Sequence, residues 1–394
     1  MDIVKDPKIN WLGLKWFFIG ISLVLMLIGV VAILTGGLNL GVDFTGGTLV
    51  YVKFKEEPDL DRIRQTLGNF GLKAEEVVRF DELAQNEVQI RIARGTDEET
   101  LDMTLESNQV FEALRPEYDL EYLETGKLDL NNVTRTELLA RLQELDPEGL
   151  GEGGPVAAFA AHYDEITEKI IRYRTEQSGI IHRFSELDQL DLAAGVVTVL
   201  NEEAYPGNFT ILSVESVGPK VGEELSNRAR TAVILSLGFM LAYIAFRFWP
   251  IYGLAALVAL FHDVFITLGA FAVTQREISL TVVAALLTLV GYSINDTIVV
   301  FDRVRENLRL MRRDDLATVI NTSINQTLNR TIMTSGMTFL AVFALYLFGG
   351  QVLRGFSFAL VIGIIVGTYS SIAIASPIVL WWQNLMEKKR KRRS

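Results

Sequence analysis

The chain has 394 residues, 49% of them hydrophobic and 22% charged, with a formal net charge of −11 and a mean hydropathy of +0.28. Such a composition excludes a single soluble domain, and the charge content excludes a chain lying wholly in lipid, so aqueous and membrane parts must be segregated along the sequence. The absence of cysteine excludes thiol catalysis, disulfides and Cys-ligated metal.

The segregation is visible in the charges. Segment 36–228 carries 38 acidic and 18 basic residues, a balance of −20, and the rest of the chain carries 10 and 19, a balance of +9. Six apolar stretches can each cross about 30 Å of hydrocarbon, which takes about 20 helical residues: 16–34, 230–246, 251–273, 278–301, 331–348 and 356–382. The first is too long for a signal-peptide core and no small-residue cleavage pattern follows it, so it reads as an uncleaved anchor. Lys5, Lys8 and Lys15 precede it. Arg303, Arg305, Arg309, Arg312 and Arg313 follow the fourth stretch, and KKRKRR (388–393) follows the sixth, whereas the opposite short loops hold Arg276 and Arg354. The positive-inside bias then predicts a cytoplasmic N-terminus (1–15), a first span (16–35), an extracytoplasmic domain (36–228), five more spans (229–382) and a basic cytoplasmic tail (383–394). Trp11, Trp16, Trp249, Trp381 and Trp382 all fall at predicted cytoplasmic ends, where amphipathic rings favour the interface.

The acidic domain reads as α+β. Segments 48–54 (TLVYVKF), 88–92 (VQIRI), 118–123 and 208–214 have strand patterns. Segment 60–70 is helical, with Leu60, Ile63, Leu67 and Phe70 on one stripe, and 98–114 forms a second helix. That order predicts a split β-α-β sandwich. Between the last two strands lies an insert, about 126–206, too long to lack structure of its own. It opens on a helix at 134–145, with a Thr134/Glu137 capping pattern. A Gly-rich hinge (PEGLGEGGP, 147–155), a helix at 157–175 and a polar tail follow.

Several motifs point to function or to its hinges. In GVDFTGGT (41–48), Gly46 and Gly47 permit positive φ and a tight turn into a strand, while Asp43 reads as a side-chain-to-backbone turn residue or a site. In VGPKVGEEL (217–225), Gly218 and Pro219 mark a helix start or a hinge ahead of the second span. His262 and Asp263 sit mid-span in ALFHDVFITLGAF, as a satisfied buried pair or as a proton relay. Asp296, with Asn295 beside it, lies in GYSINDTIVVFDRVREN (291–307), about 9 Å inside the boundary expected at Asp302. A carboxylate in lipid costs from about 3 to above 10 kcal/mol, which favours a functional reading over a structural one. Arg330, in NRTIMTSGMTF (329–339), is either a snorkelling residue at a span end or the cation that pairs with Asp296, with Thr334 and Ser335 supplying hydroxyls. Gly363 and Gly367 form a GxxxG face. The histidines His162, His182 and His262 have no metal-helix spacing, and Gly126–Lys127 is followed by Leu128, so neither a metal site nor a Walker loop is expected. Nothing in the sequence asks for a cofactor.

GVDFTGGT, VGPKVGEEL, HDV, GYSINDTIVVFDRVREN and QTLNRTIMTSG, in this order across six spans, resemble the SecF side of the SecD/SecF family, a relative of the resistance–nodulation–division exporters. The resemblance covers 1–123 and 208–382. It implies a non-enzymatic subunit in the bacterial cytoplasmic (inner) membrane, partnered by SecD, the SecYEG channel, YajC and other accessory subunits. Such a subunit uses the proton-motive force to pull or release unfolded preprotein on the outer side. It further implies that Asp296 is the membrane carboxylate, Arg330 its basic partner and 36–228 the moving domain. The insert departs from the family's expected short outer domain. Its segments LDLNNVTRTELLARL and EKIIRYRTEQSGIIHRFSEL faintly resemble helix–hairpin–helix repeats but lack their GIG hairpin, and the region's acidity repels nucleic acid. A partner-docking or preprotein-contacting module is the expectation there. KKRKRR reads most simply as an orientation anchor, with contact to anionic membrane lipids or to ribosomal RNA as unneeded alternatives. The competing expectations are a passive assembly subunit without proton coupling, and half of a small-molecule exporter.

Overall fold

A computed structural model of the chain describes residues 7–72, 74–81, 84–92, 103–151, 156–247 and 249–391. Lys5, the start of the helix expected from 98, the end of the Gly-rich hinge (152–155) and the last basic residues (392–393) lie outside the described residues. The elements, in order, are α1 Lys15–Gly36, α2 Val42–Thr45, β1 Gly47–Phe54, α3 Leu60–Asn69, β2 Ala74–Asp81, β3 Ala84–Ile92, α4 Met103–Tyr118, β4 Leu128–Asp129, α5 Arg135–Leu145, α6 Val156–Glu176, α7 Ala194–Glu203, β5 Ala204–Tyr205 and β6 Phe209–Val217. They continue with α8 Pro219–Arg247, α9 Pro250–Thr274, α10 Leu280–Leu310, α11 Leu316–Phe348, α12 Gly350–Ser370, a π-helical turn Ser371–Ala375 and α13 Ser376–Lys391. Two compact units result: Gly46–Gly222, and Met1–Thr45 with Glu223–Ser394.

The first unit is built on a four-stranded sheet in the order β2-β3-β1-β6, antiparallel throughout, with α3 and α4 as the two crossovers. This is the split β-α-β arrangement. Alternation along the strands turns Val50, Val52, Phe54, Val88, Ile90 and Ile92 to one face, where Ile63 and Leu67 of α3 and Val110 and Leu114 of α4 cover them. Asp59 caps α3, its carboxylate accepting from the Asp61 and Arg62 amides. Two local expectations fail. Segment 118–123 is no strand: α4 runs on to Tyr118 and a 3₁₀ turn, Leu120–Tyr122, follows. The strand in its place is β2 (AEEVVRFD), whose charges mask it because it pairs on one side only, at the sheet edge.

The insert is a helical subdomain with its own core of Leu138, Leu142, Tyr163, Ile170, Leu187, Val196 and Leu200. Thr134 and Glu137 form the capping box at the start of α5. The polar tail is not structureless: it holds a 3₁₀ turn, Phe184–Leu190, and α7. Asn131, 2% exposed, ties the subdomain to the sheet strand. Its amide nitrogen donates to the carbonyls of Ile181 (3.1 Å) and Gly207 (2.7 Å), and its amide oxygen accepts from the Ile181 N–H (2.8 Å). Asn132 bridges Phe209 and Ile211 of β6 in the same way.

In the second unit six helical runs among the described residues are long and apolar enough to cross a membrane: α1, α8, α9, α10, α11 and the run Val352–Met386. Large apolar side chains of α1, α8 and α11, such as Leu34, Phe239 and Phe348, stay exposed, as lipid-facing surfaces do. Close crossings use glycine. A Cβ on Gly29 of α1 would stand 3.1 Å from the Cα of Gly269 of α9, and one on Gly363 of α12 would stand 2.4 Å from Leu289 of α10. The GxxxG face therefore packs on α10. Helix boundaries differ from expectation: α10 continues past Asp302 to Leu310, and α11 begins at Leu316. The charged flanks stay helical because they bury a second seam, where Asn307 donates to Ser323 Oγ (2.9 Å) and Gln326 Oε1 (2.8 Å). Arg330 thus lies in the middle of a helix rather than at its end.

Candidate functional site

Asp296 is 3% exposed and sits on α10 facing α11, where Ser335 Oγ donates to its Oδ2 at 2.8 Å. Helical geometry decides which neighbours join it. Successive residues are about 100° apart, so Ser293, three residues earlier, shares the buried face of Asp296, whereas Asn295 turns outward and is exposed. On α11 the same rule puts Thr331, 2% exposed, beside Ser335, and turns Arg330 and Thr334 away. Both are exposed, and Thr334 bonds back to the Arg330 carbonyl of its own helix. Arg330 forms no ion pair with Asp296 among the described residues, although its positive charge acts on that carboxylate through space.

A second buried cluster stands one turn along α10. Asp263 is fully buried. Its Oδ2 accepts from Ser293 Oγ (2.5 Å) and Ser370 Oγ (2.8 Å), and its Oδ1 contacts His262 Nδ1 at 2.8 Å. The far ring nitrogen of His262, Nε2, meets the Tyr369 hydroxyl at 3.1 Å, and that hydroxyl meets Ser22 Oγ of α1 at 3.0 Å. Gly367 keeps this cluster tight, since a Cβ there would stand 3.2 Å from Ser293 and 3.5 Å from Asp263.

The two carboxylates differ chemically. Hydrogen bonds to a charged group contribute about 1.5–3 kcal/mol each. Asp263 has three hydrogen-bonding partners, Ser293, Ser370 and His262. Asp296 holds one. Of the expected site residues, the structure brings together His262 with Asp263 and Asp296 with Ser335, and leaves Asn295, Thr334 and Arg330 at the rim. Sequence reasoning missed Ser22, Ser293, Tyr369 and Ser370. The available signal was a hydroxyl one turn from a known carboxylate (Ser293) or next to a serine run inside a span (Tyr369, Ser370).

The glycines and Pro219 show the backbone geometry that turn chemistry predicts. Gly46 and Gly47 have φ of 71° and 113°, and a Cβ on Gly47 would stand 2.9 Å from the Ile92 carbonyl. Pro219 starts α8 directly after Gly218. Asp43 does bond a backbone amide, but not one in its own turn: its Oδ2 accepts from Leu280 N–H at 2.8 Å, at the first residue of α10. The chain is held there further by a parallel bridge between Leu40 and Ile278 and by Glu277 Oε1 accepting from Val42 N–H (3.1 Å).

In the sheet domain Asp119 is a buried carboxyl at the end of α4. Burial pushes its carboxyl up to about 6, against the opposing Asn208 amide, with nearby Asp129 adding to the rise and Lys55 relieving it. Its Oδ1 accepts from Asn208 N–H at 2.9 Å, and its buried Oδ2 has no hydrogen-bond partner among the described residues.

Comparison with known proteins places this architecture. Residues 196–385 match the family described as protein export membrane protein SecD/SecF, C-terminal, and residues 31–57 match the SecD/SecF GG motif. The chain is 48% identical over 391 residues to the protein translocase subunit SecF of Koribacter versatilis, covering 97% of this chain and 94% of that one. A segment of 175 residues, 44% of this chain, is 51% identical to the protein translocase subunit SecDF of Thermus thermophilus, of which it covers 24%. The crystal structure of SecDF from the same organism, titled a translocon-associated membrane protein, superposes with a TM-score of 0.63 at 30% identity. The match covers 96% of this chain but 39% of that longer one. Six helical runs among the described residues that are long and apolar enough to cross a membrane, a small antiparallel sheet domain and these matches make one conclusion plain: the chain is a multi-pass membrane protein that belongs to the SecD/SecF family.

Proposed function

We propose that this chain is a SecF-type subunit of the Sec translocase. With SecD it uses the proton-motive force to drive or complete preprotein export. The observation that carries the reading is Asp296, a carboxylate buried within a membrane-spanning helix and held by one serine. In this reading both termini are cytoplasmic, the sheet domain and its insert face outward, and SecYEG, YajC and the unfolded preprotein are the working partners. The insert docks a partner or contacts the preprotein. A charge moving down the gradient is worth about 2.3 kcal/mol per 100 mV, which is on the scale of the hydrogen bonds around Asp296. Loading Asp296 with a proton ends its attraction to Arg330 and lets α10 and α11 repack, and that change passes along 217–225 to the outer domain. A passive assembly subunit would need no titratable group at this position.

The test is preprotein translocation into inverted membrane vesicles with and without a proton gradient, comparing wild type with Asp296→Asn at equal complex levels. Asparagine keeps an oxygen for Ser335 and loses the proton site. Coupling predicts that the stimulation by the gradient disappears in the variant. Stimulation that survives intact overturns the reading and leaves the assembly role.

A further inference from the structure

The two buried residues of α1 are Ser22 and Gly29. Gly29 is there for close approach to Gly269. Ser22 has a different occupation, because alanine would pack equally well in an apolar crossing and would carry no polar atom into it. Its hydroxyl contacts Tyr369, which contacts His262 Nε2, while His262 Nδ1 contacts Asp263 Oδ1. Since Asp263 is a buried acceptor, the ring nitrogen facing it carries the hydrogen. The other, Nε2, then accepts from Tyr369, whose oxygen accepts from Ser22. With that tautomer every hydrogen in the series points the same way. Tyr369 and Ser370 lie at the end of α12, immediately before the buried π-helical turn Ser371–Ala375. Turns of this kind occur frequently at functional sites.

We propose that Tyr369 and Ser22 extend the His262–Asp263 pair into a directional hydrogen-bonded wire ending on α1, and that a proton delivered to His262 reverses the wire and so changes how α1 is held. The proposal rests on the proton-coupled reading above and adds to it a second group that takes up the proton. The proton balance is simple. A proton taken up at Ser22 Oγ releases the hydrogen of Ser22 to the oxygen of Tyr369, and Tyr369 passes its own hydrogen to Nε2. Each hydroxyl gains one hydrogen and gives one, and the net charge appears on the imidazole beside the Asp263 carboxylate. Tyr369 now accepts from Nε2–H and donates to Ser22. The Ser22 hydrogen turns to the carbonyl four residues back on α1, a bond that serine makes readily in helices. The groups facing His262 are Asp263 on its own helix, Tyr369 on α12 and the Ser22 hydroxyl on α1. On α10, Ser293 touches Asp263, and Asp296, under the charge of Arg330 on α11, follows one turn later.

With three histidines in the chain, the wire can be read directly. In the full chain, the only labelled subunit, assembled with unlabelled SecD and carrying His162→Gln and His182→Gln outside the membrane part, ¹⁵N-histidine NMR reports His262 alone. The expected result is the Nδ1–H tautomer at high pH, and a titration midpoint that moves in Tyr369→Phe and in Ser22→Ala, both of which keep the packing. In vesicles, Tyr369→Phe is expected to lower gradient-stimulated translocation about fivefold, the factor equivalent to about 1 kcal/mol for one hydrogen bond, and to displace its pH profile. An Nε2–H tautomer, or one titration curve shared by wild type and both variants, overturns the wire and reduces the hydroxyls to helix glue. The NMR result does not depend on coupling, so a failure of the wire is distinct from a failure of Asp296→Asn to abolish stimulation.

Discussion

Asp119 makes the sheet domain sensitive to acidity in a direction opposite to that of most carboxylates. Its ordinary value of 3.8 rises to about 6 in the folded domain, chiefly through burial. Below 3.8 the group is protonated whether folded or not, and it costs nothing. As pH rises through 4 to 6 the unfolded chain gives up its proton while the folded domain holds it, so the folded state binds more protons and stability falls with pH. Above 6 the full penalty is in place. Two units correspond to about 3 kcal/mol at about 1.36 kcal/mol per unit. Screening by water reduces this to about 1–2 kcal/mol between pH 4.5 and 7.5. Asp119→Asn keeps an oxygen for Asn208 N–H and removes the titration. The assay is hydrogen exchange of the full chain at amides 207–211, corrected for the intrinsic rate at each pH. Wild type should lose protection relative to the variant as pH rises. Asp129, pushed up mainly by burial as well, keeps a smaller slope of the same sign in both proteins. Parallel profiles for wild type and Asp119→Asn would refute the argument, as would a difference that grows toward low pH.

Two further changes test the packing that positions the sites. Asn131→Ala strands the amide and carbonyl of Ile181 and the carbonyl of Gly207, which at about 1–3 kcal/mol per buried group should cost about 3–5 kcal/mol, read as early proteolysis between insert and strand β6. Gly363→Val drives a methyl group into Leu289, which is fully buried. Overpacking of this kind costs about 1–3 kcal/mol, measurable as a lower melting temperature in detergent while the isolated effect on soluble-domain exchange stays small.

Much of this was legible in the sequence where a single physical rule dominates. Apolar length gave the spans, the Thr134/Glu137 pattern gave a helix start, and Gly46–Gly47 gave a left-handed turn. The rule failed where two rules compete. In β2, Glu76 and Arg79 obscure a strand because one side of an edge strand faces water. In 118–123, alternating Tyr118, Leu120 and Tyr122 imitate a strand, but Asp119 between them is buried, which strand alternation cannot produce on a half-covered sheet. At the membrane site, residue type pointed to Asp296 and Ser335, yet adjacency in sequence also nominated Asn295 and Thr334. Rotation about the helix axis excludes both and admits Ser293. Contacts such as Ser22 with Tyr369 join distant segments, and nothing local in either segment announces them.

The clamp of Asp43 and Leu40 on the first turn of α10 has a mechanical consequence. A helix pinned at one end moves as a lever, and displacement grows with distance from the fulcrum. Asp296 lies about 24 Å along the axis from Leu280, so a tilt of about 5° at the clamp carries its carboxylate about 2 Å. That stroke is comparable to the difference between making the Ser335 hydrogen bond and breaking it, while the residues at the pinned end scarcely move.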